Sequence, residues 1–188
     1  MVELLFKELS KLKEVEAIAL GGSRAGENYF NGDIISIKEG NTEVVANKIS
    51  GLTGGDIFKI EQAVPYSPQY DICVEESKED KAKNVRPEIV NCLNSIDNYD
   101  VIYLGYPNYW GSLPMCVFTF LEKFDFTGKT IRPFCTHEGS GFGNSIEELT
   151  VACKGAKVEK GLAVTGSEAR KHDEEIRQWV DESLKVKN

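Results

Sequence analysis

The sequence lacks the patterns that mark a disulfide framework, a zinc site or a membrane span. Its five cysteines are odd in number and widely spaced, and none forms a C-x-x-C pair, so we expect reduced thiols that serve mainly as packing residues. No apolar run approaches the roughly 20 residues needed to cross a bilayer. The first residues carry an early glutamate and no basic flank before an apolar block, so we expect no signal peptide and a cytoplasmic location.

Clustered positive charge is missing as well. The 22 lysines and arginines are outnumbered by 30 aspartates and glutamates, which gives the 188-residue chain a net charge of −8 at pH 7. A nucleic-acid surface needs clustered lysine and arginine to contact phosphates, so this balance argues against a nucleic-acid partner. The sequence also shows no internal repeat, and its length is typical of a single domain.

Two loops are the most informative feature that is present. The segments Gly105–Pro114 and Phe134–Gly143 are rich in glycine, aromatic and hydroxyl residues, and each follows a short β-branched or aromatic run. Each also precedes an amphipathic stretch, and the apolar residues between positions 117 and 124 recur at helical spacing. Because α/β proteins bind ligands at the carboxyl edge of a parallel sheet, we expect both loops to lie at that edge.

Strand and helix signals alternate along the chain. Strands are predicted at 15–20, 56–61, 100–105, 130–135 and 157–164. Helices are predicted at 2–13, from 41 onwards, and at 69–83, 114–124, 144–153 and 168–185. This alternation predicts an α/β fold, a doubly wound parallel sheet of about five strands with helices on both faces.

The same pattern predicts the domain organisation. Residues 1–14 are interpreted as an N-terminal helical extension and 15–188 as the α/β domain. We expect a long flexible loop from Gly21 to the helix that starts at Asn41. Asn41 or Thr42 is the expected N-cap of that helix, and residues 62–99 are expected to lie outside the sheet.

The sequence Gly40-Asn41-Thr42 suggests an anion site at that helix start. Oriented backbone N–H groups and the positive end of the helix dipole stabilise a phosphate dianion without lysine or arginine. Simple N-capping explains the same three residues, so the motif alone leaves both interpretations open.

Five stretches of the sequence carry a resemblance to a known family: Ser23–Tyr29, Glu39–Ala46, Gly105–Pro114, Phe118–Glu122 and Pro133–Gly143. Spread in order through the span from 15 to 185, they resemble the flavodoxin family, and especially its bacterial flavodoxin-like branch. The resemblance implies a five-stranded parallel sheet in the order 2-1-3-4-5, FMN held at the carboxyl edge, and electron transfer or flavin-dependent oxidoreduction as the activity.

The resemblance also implies which residues bind the cofactor. The candidates are Ser23, Arg24, Asn41, Thr42, Pro107, Asn108, Tyr109, Trp110, Gly111, Thr136, His137 and Gly139. The first four would cradle the FMN phosphate. The sixteen residues between Ala25 and Thr42 leave open which half of this set binds it.

The remaining candidates would surround the isoalloxazine ring. Trp110, or failing it Tyr109, would stack on the ring, and backbone groups of Asn108, Gly111 and Gly139 would approach its edge. The candidate catalytic residue is His137, which could hydrogen-bond the pyrimidine edge or supply a proton, because its pKa lies nearest neutrality. We expect the neighbouring Glu138 to be solvated.

Two other classes of function are weighed against this one. The segment Gly21-Gly22-Ser23 is similar to the opening of the nucleotidyltransferase fold, but Asp33 has no second carboxylate two residues on, so the two-metal site of that chemistry is not made. A flavodoxin-like module that binds no flavin and serves as an interaction domain is the other alternative. The expected partners are FMN and an unidentified redox protein or substrate, with no membrane; a homodimer stays open.

Overall fold

The computed structural model describes residues 16–90 and 92–185, so the helix predicted at 2–13 lies outside the described residues. The strands are β1 (Glu16–Gly21), β2 (Gly26–Phe30), β3 (Asp33–Ile37), β4 (Asp56–Gln62), β5 (Ile89–Val90), β6 (Val101–Pro107), β7 (Thr130–His137), β8 (Lys157–Val158) and β9 (Leu162–Thr165). The helices are α1 (Asn41–Thr53), α2 (Tyr70–Ala82), α3 (Met115–Leu121), α4 (Ser145–Ala152) and α5 (Asp173–Lys185), with a 3₁₀ turn at Gly166–Glu168 before α5.

The main sheet has the expected parallel topology. Its order is β5-β4-β1-β6-β7-β8. Strand β9 pairs with the same edge of β7 as β8 does, but nearer to the carboxyl end of β7. Every pairing is parallel except that of β4 with the short edge strand β5. Counting β8 and β9 as the two parts of one edge position, the parallel strands follow the order 2-1-3-4-5, so the predicted fold class is confirmed.

Two apolar layers enclose the sheet, one on each face. On one face, Val117 and Phe120 of α3 and Leu149 of α4 pack on the strands. On the other face, Val45 of α1 and Ile176 of α5 do the same. The side chains of the central strand β6 pack alternately into one layer and the other, since successive side chains of a strand point to opposite faces. This explains why its sequence reads as a continuous apolar run.

Three sequence predictions need correction. The segment expected to be a long loop contains an antiparallel hairpin, β2–β3, which turns at Asn31-Gly32. Residues 62–99 are not wholly outside the sheet, because β5 pairs with the end of β4. The single strand predicted at 157–164 is two short strands, both paired with β7, with an interruption between them.

Helix α2 is placed differently from the other helices. It contacts chiefly β2 and α3, and its buried side chains are Cys73 and Ser77. With the hairpin it forms a cap over the carboxyl edge of the sheet. No helix in the described part of the chain combines the length and the apolar character that a membrane crossing requires.

Candidate functional site

A cavity of about 470 Å³ lies at the carboxyl edge, where the loops after β1, β6 and β7 meet. This is the crevice at which the order of strands reverses around β1 and β6, the usual ligand position in doubly wound sheets. Eight predicted site residues line it: Arg24, Asn41, Pro107, Asn108, Tyr109, Trp110, Thr136 and His137. Its volume falls within the range of small-molecule sites.

The other four predicted residues do not line this cavity. Ser23 lines a second cavity of about 470 Å³ on the β4 side of Tyr109. Thr42 is buried, with its hydroxyl 2.7 Å from the hydroxyl of Thr136. Gly111 and Gly139 lie in the turns of the two loops, and both have positive φ angles, 74° and 106°.

The two halves of the proposed phosphate loop meet in space despite the hairpin between them. Gly40 lies so close to the loop after β1 that an added Cβ would overlap Ser23 Oγ and come within 2.8 Å of the Arg24 amide nitrogen. Ser23 Oγ accepts a hydrogen bond from the Glu43 amide at 3.1 Å, so the loop after β1 caps helix α1. The two halves of the proposed phosphate loop are therefore adjacent in space.

The N-cap prediction was wrong in its residue. Gly40, and not Asn41 or Thr42, occupies the N-cap position, and as a glycine it has no side chain that could cap the helix. The amides of Asn41 and Thr42 have no hydrogen-bond acceptor among the described residues. A helix start leaves such amides free and carries a partial positive charge, so it suits an anion.

One arginine fixes the loop after β1, and another bonds to the helix start. Arg24 donates to the carbonyls of Pro68, at 3.1 Å, and Glu27, at 2.5 Å, which fastens the loop after β1 to the hairpin and to the segment before α2. Arg170 donates to the Asn41 side-chain oxygen at 2.8 Å. Sequence reasoning missed Arg170, which reaches Asn41 from the opposite end of the chain.

The loop after β6 ends in a tight turn that presents Trp110. Tyr109 and Ser112 exchange two backbone hydrogen bonds of 3.1 Å around Trp110 and Gly111, whose φ angles are 59° and 74°. Both angles are left-handed, which is rare for a bulky residue such as tryptophan. Trp110 is 45% exposed, so it is not a core residue.

Asn108 ties this turn to the loop after β7. Its side chain donates to the Gly141 carbonyl at 2.7 Å and accepts from the Gly111 amide at 2.8 Å. The Asn144 amide also donates to the Gly111 carbonyl at 2.7 Å. The two loops that the sequence singled out are therefore one hydrogen-bonded unit.

Tyr109 has a different place from Trp110. Its hydroxyl donates to the Gly22 carbonyl at 3.3 Å, and burial raises the pKa of this phenol far above its usual range. Tyr109 and Arg24 line both cavities and separate one from the other. Of the two aromatic residues, Trp110 has the more exposed ring at the first cavity.

His137 and Glu138 follow the end of β7. His137 Nδ1 accepts a hydrogen bond from the Gly139 amide at 2.9 Å, so the neutral ring carries its proton on Nε2. Partial burial lowers the pKa of His137 from its ordinary value, and the neighbouring Glu138 opposes this shift. The prediction that Glu138 is solvated was wrong: its carboxylate accepts the Ser167 amide at 2.6 Å and the Ser167 hydroxyl at 3.1 Å.

Sequence reasoning missed further cavity residues from the hairpin, from α2, and from the segments that follow β7 and β9. They are Asn28, Tyr29, Tyr70, Cys73, Val74, Ser77, Glu138, Ser140 and Gly166. The rings of Tyr29 and Tyr70 lie 6.3 Å apart, which joins hairpin and helix. The signal for the hairpin was present, because Asn-Gly is a preferred pair for a two-residue turn with positive φ at both positions.

The sequence also matches a known protein family. A family model described as Flavodoxin matches residues 34–183. The chain belongs to the flavodoxin family. This family assignment replaces the nucleotidyltransferase alternative. Asp33, the carboxylate on which that alternative depended, is the first residue of β3 in the hairpin. Among the described residues, no group of three or more His, Cys, Asp or Glu is placed to hold a metal ion.

Solved structures of other flavodoxin-like proteins resemble the chain over most of its length. A "putative flavoprotein" from Bacteroides eggerthii DSM 20697 is 27% identical, with a TM-score of 0.72, over 92% of this chain and 99% of that one. One from Bacteroides uniformis ATCC 8492 is 26% identical, with a TM-score of 0.70, over 89% and 98%. A Lactobacillus acidophilus NCFM flavoprotein, solved in complex with FMN, is 18% identical, with a TM-score of 0.59, over 84% and 97%, and shows the shared fold. No curated protein sequence matches the chain.

Proposed function

We propose that this flavodoxin-family protein binds FMN in the first cavity and acts in electron transfer or flavin-dependent oxidoreduction. The observation that carries the proposal is the convergence, around one cavity, of the α1 start, the Trp110 turn and the loop after β7. The L. acidophilus relative, whose structure contains FMN, supports the choice of cofactor.

The residues present fit a flat aromatic group that carries a phosphate. The helix start offers free amides, with Arg24 and Asn41 beside them at the cavity wall. Gly166 lies where an added Cβ would come within 2.8 Å of Asn41 Nδ2 and 3.0 Å of Glu138 Oε1, so glycine keeps this wall open. Trp110 supplies an aromatic surface at the same cavity.

In this proposal the chain binds and orients, and the flavin, when bound, supplies the redox chemistry. The amides of Asn41 and Thr42 would donate to the phosphate, with the positive end of α1 behind them. The Arg24 guanidinium adds positive charge, although its hydrogen bonds already go to the backbone carbonyls of Pro68 and Glu27. Thr42 would act through its amide, because its hydroxyl is paired with Thr136.

The ring end is assigned to the Trp110 turn and the loop after β7. Trp110 would stack on the ring, while backbone groups of Asn108, Gly111 and Gly139 approach its edge. His137 would donate from Nε2, because its Nδ1 is already occupied by the Gly139 amide. A neutral donor of this kind can share or move a proton at the ring edge without adding positive charge.

Titration of the apo protein with FMN tests the proposal. We expect quenching of flavin fluorescence and flavin absorption bands in the purified protein. Riboflavin, which lacks the phosphate, should bind more weakly, and Trp110→Ala should weaken both ligands. The absence of FMN binding by the wild-type chain would reject the proposal and favour the interaction module.

The role of His137 has its own measurement. His137→Ala should change the midpoint potential of the bound flavin or the dependence of that potential on pH. If both stay as in the wild type, His137 is only a loop residue at the cavity wall.

A further inference from the structure

Helix α2 carries a stripe of three residues that contact the Trp110 turn. Cys73, Ser77 and Lys81 are spaced four apart, so they share one face of the helix. The Cys73 sulfur lies 4.0 Å from the Tyr109 hydroxyl. The Ser77 hydroxyl oxygen lies 3.1 Å from Trp110 Nε1, and Lys81 Nζ lies 2.6 Å from the Trp110 carbonyl oxygen. We call these three residues the α2 stripe.

The bond between Ser77 and the indole has a defined direction. Ser77 is 6% exposed, and its hydroxyl donates to the Val74 carbonyl at 3.0 Å. Its oxygen is therefore left to accept, and the indole N–H of Trp110 is the donor. Lys78, the next residue along α2, places its ammonium over the same indole, 5.4 Å from the ring centre.

The backbone of the Trp110 turn needs support of this kind. A left-handed conformation is unfavourable for tryptophan, and such residues persist where the surrounding structure over-determines them. Lys81 holds the carbonyl of the Trp110–Gly111 peptide, and Asn108 holds its amide. Helix α2 thus fixes both the side chain and the peptide group of one residue.

We propose that Ser77 and Lys81 are positioning residues that hold Trp110 in the wall of the cofactor cavity. Ser77 sets the direction of the indole, and Lys81 sets the peptide plane that carries it. Both bonds form within the chain itself, so the ring wall is organised before any ligand arrives. The use of this wall for a flavin ring rests on the proposed function, whereas the positioning itself does not.

Indole N–H exchange tests the positioning without a cofactor. The chain has two tryptophans, so ¹⁵N-labelled protein gives two indole signals. Trp179 donates to the Lys160 carbonyl at 3.1 Å and serves as the internal reference. Ser77→Ala should shift the Trp110 indole signal and speed its hydrogen exchange by roughly tenfold, because its acceptor is removed. Ser77→Thr, which keeps the hydroxyl, should restore both.

Lys81→Met provides the second variant, and Lys83→Met is its matched control. Lys83 lies just after the same helix and pairs with Glu79, away from the turn. Lys81→Met should change the signals of the Trp110 turn and weaken FMN binding by about threefold to tenfold, as should Ser77→Ala. Lys83→Met should leave FMN affinity within about twofold of the wild type.

The outcomes separate the two proposals. An unchanged Trp110 indole in both Ser77→Ala and Lys81→Met, or an equal change in Lys83→Met, overturns the positioning role. Should Ser77→Ala fail to fold, the surface variant Lys81→Met decides. A wild-type chain that binds no FMN rejects the proposed function, while the indole exchange still decides whether the α2 stripe holds Trp110.

Discussion

The hydroxyls of Thr42 and Thr136 form a buried pair that links helix α1 to strand β7. Thr42 is 1% exposed and Thr136 is 5% exposed, and their oxygens lie 2.7 Å apart. Either residue alone reads as an ordinary polar position in the sequence. The pairing could not be predicted, because it joins residues 94 positions apart. In the proposed FMN site, Thr42 would therefore contribute its backbone amide, because its hydroxyl is already paired with Thr136.

Removing one hydroxyl of this pair should destabilise the protein. Thr42→Val keeps the shape but leaves the Thr136 hydroxyl without its partner, at a cost of about 1–3 kcal/mol in the free energy of unfolding. Urea denaturation measures this loss. The double variant Thr42→Val/Thr136→Val should be less destabilised than the sum of the single variants, because no hydroxyl is left unpaired. Additive losses would contradict the pairing.

His137 should make stability depend on pH. Partial burial lowers its pKa in the folded state, so the unfolded chain binds a proton more readily. The free energy of unfolding should therefore fall as pH drops from about 6.5, the ordinary histidine value, toward the lower folded-state pKa. His137→Gln should lose less stability between pH 7.5 and 5.5 than the wild type, with His172→Gln as control. An identical pH profile for wild type and His137→Gln would refute this.

Helix α1 and the loop after β1 fit together through one glycine. Gly40 has an ordinary φ of −62°, so its need for glycine is the close approach of Ser23 and Arg24 and not backbone strain. Sequence inspection interpreted this position as part of a phosphate motif. The structure adds that Gly40 lets the two halves of the loop touch.

Two Gly→Ala substitutions in or beside α1 should have opposite effects. Gly40→Ala forces the loop away from the helix start, and we expect a loss of about 1–3 kcal/mol in stability together with weaker FMN binding. Gly51→Ala has open space around it within the same helix, so it should be neutral or stabilise by about 0.5–1 kcal/mol. Thermal unfolding and FMN titration measure both. Equal behaviour of the two variants would contradict the packing argument.

The elements that sequence predicts well are those that bury apolar residues on a regular period. Strands β6 and β7 are both largely buried, and the strands predicted at 100–105 and 130–135 coincide with them to within two residues. The hairpin was missed because most of β3 is exposed, so it shows no period of buried residues. The cap was missed for another reason: Tyr29 and Tyr70 meet only through tertiary packing, and nothing local marks either as a cavity residue.

The net charge of −8 bears on the redox properties proposed for the whole molecule. A negatively charged protein disfavours an extra negative charge in its interior, and stacking of the flavin on Trp110 in the proposed site would act in the same direction. We expect the midpoint potential of bound FMN to lie below that of free FMN. Added salt should raise it, because surface charges are screened. A potentiometric titration that gives a value above that of free FMN would contradict this prediction.

The hairpin between the two halves of the phosphate loop has a consequence for how such proteins diversify. Strand β1 fixes one half, helix α1 fixes the other, and the halves touch at Gly40. The hairpin beyond Glu27 and Asn28, which both bond to Arg24, can therefore change in length and sequence while the proposed anion site keeps its geometry. Such changes would remodel the cavity wall at Tyr29 and leave the proposed phosphate end of the site unchanged.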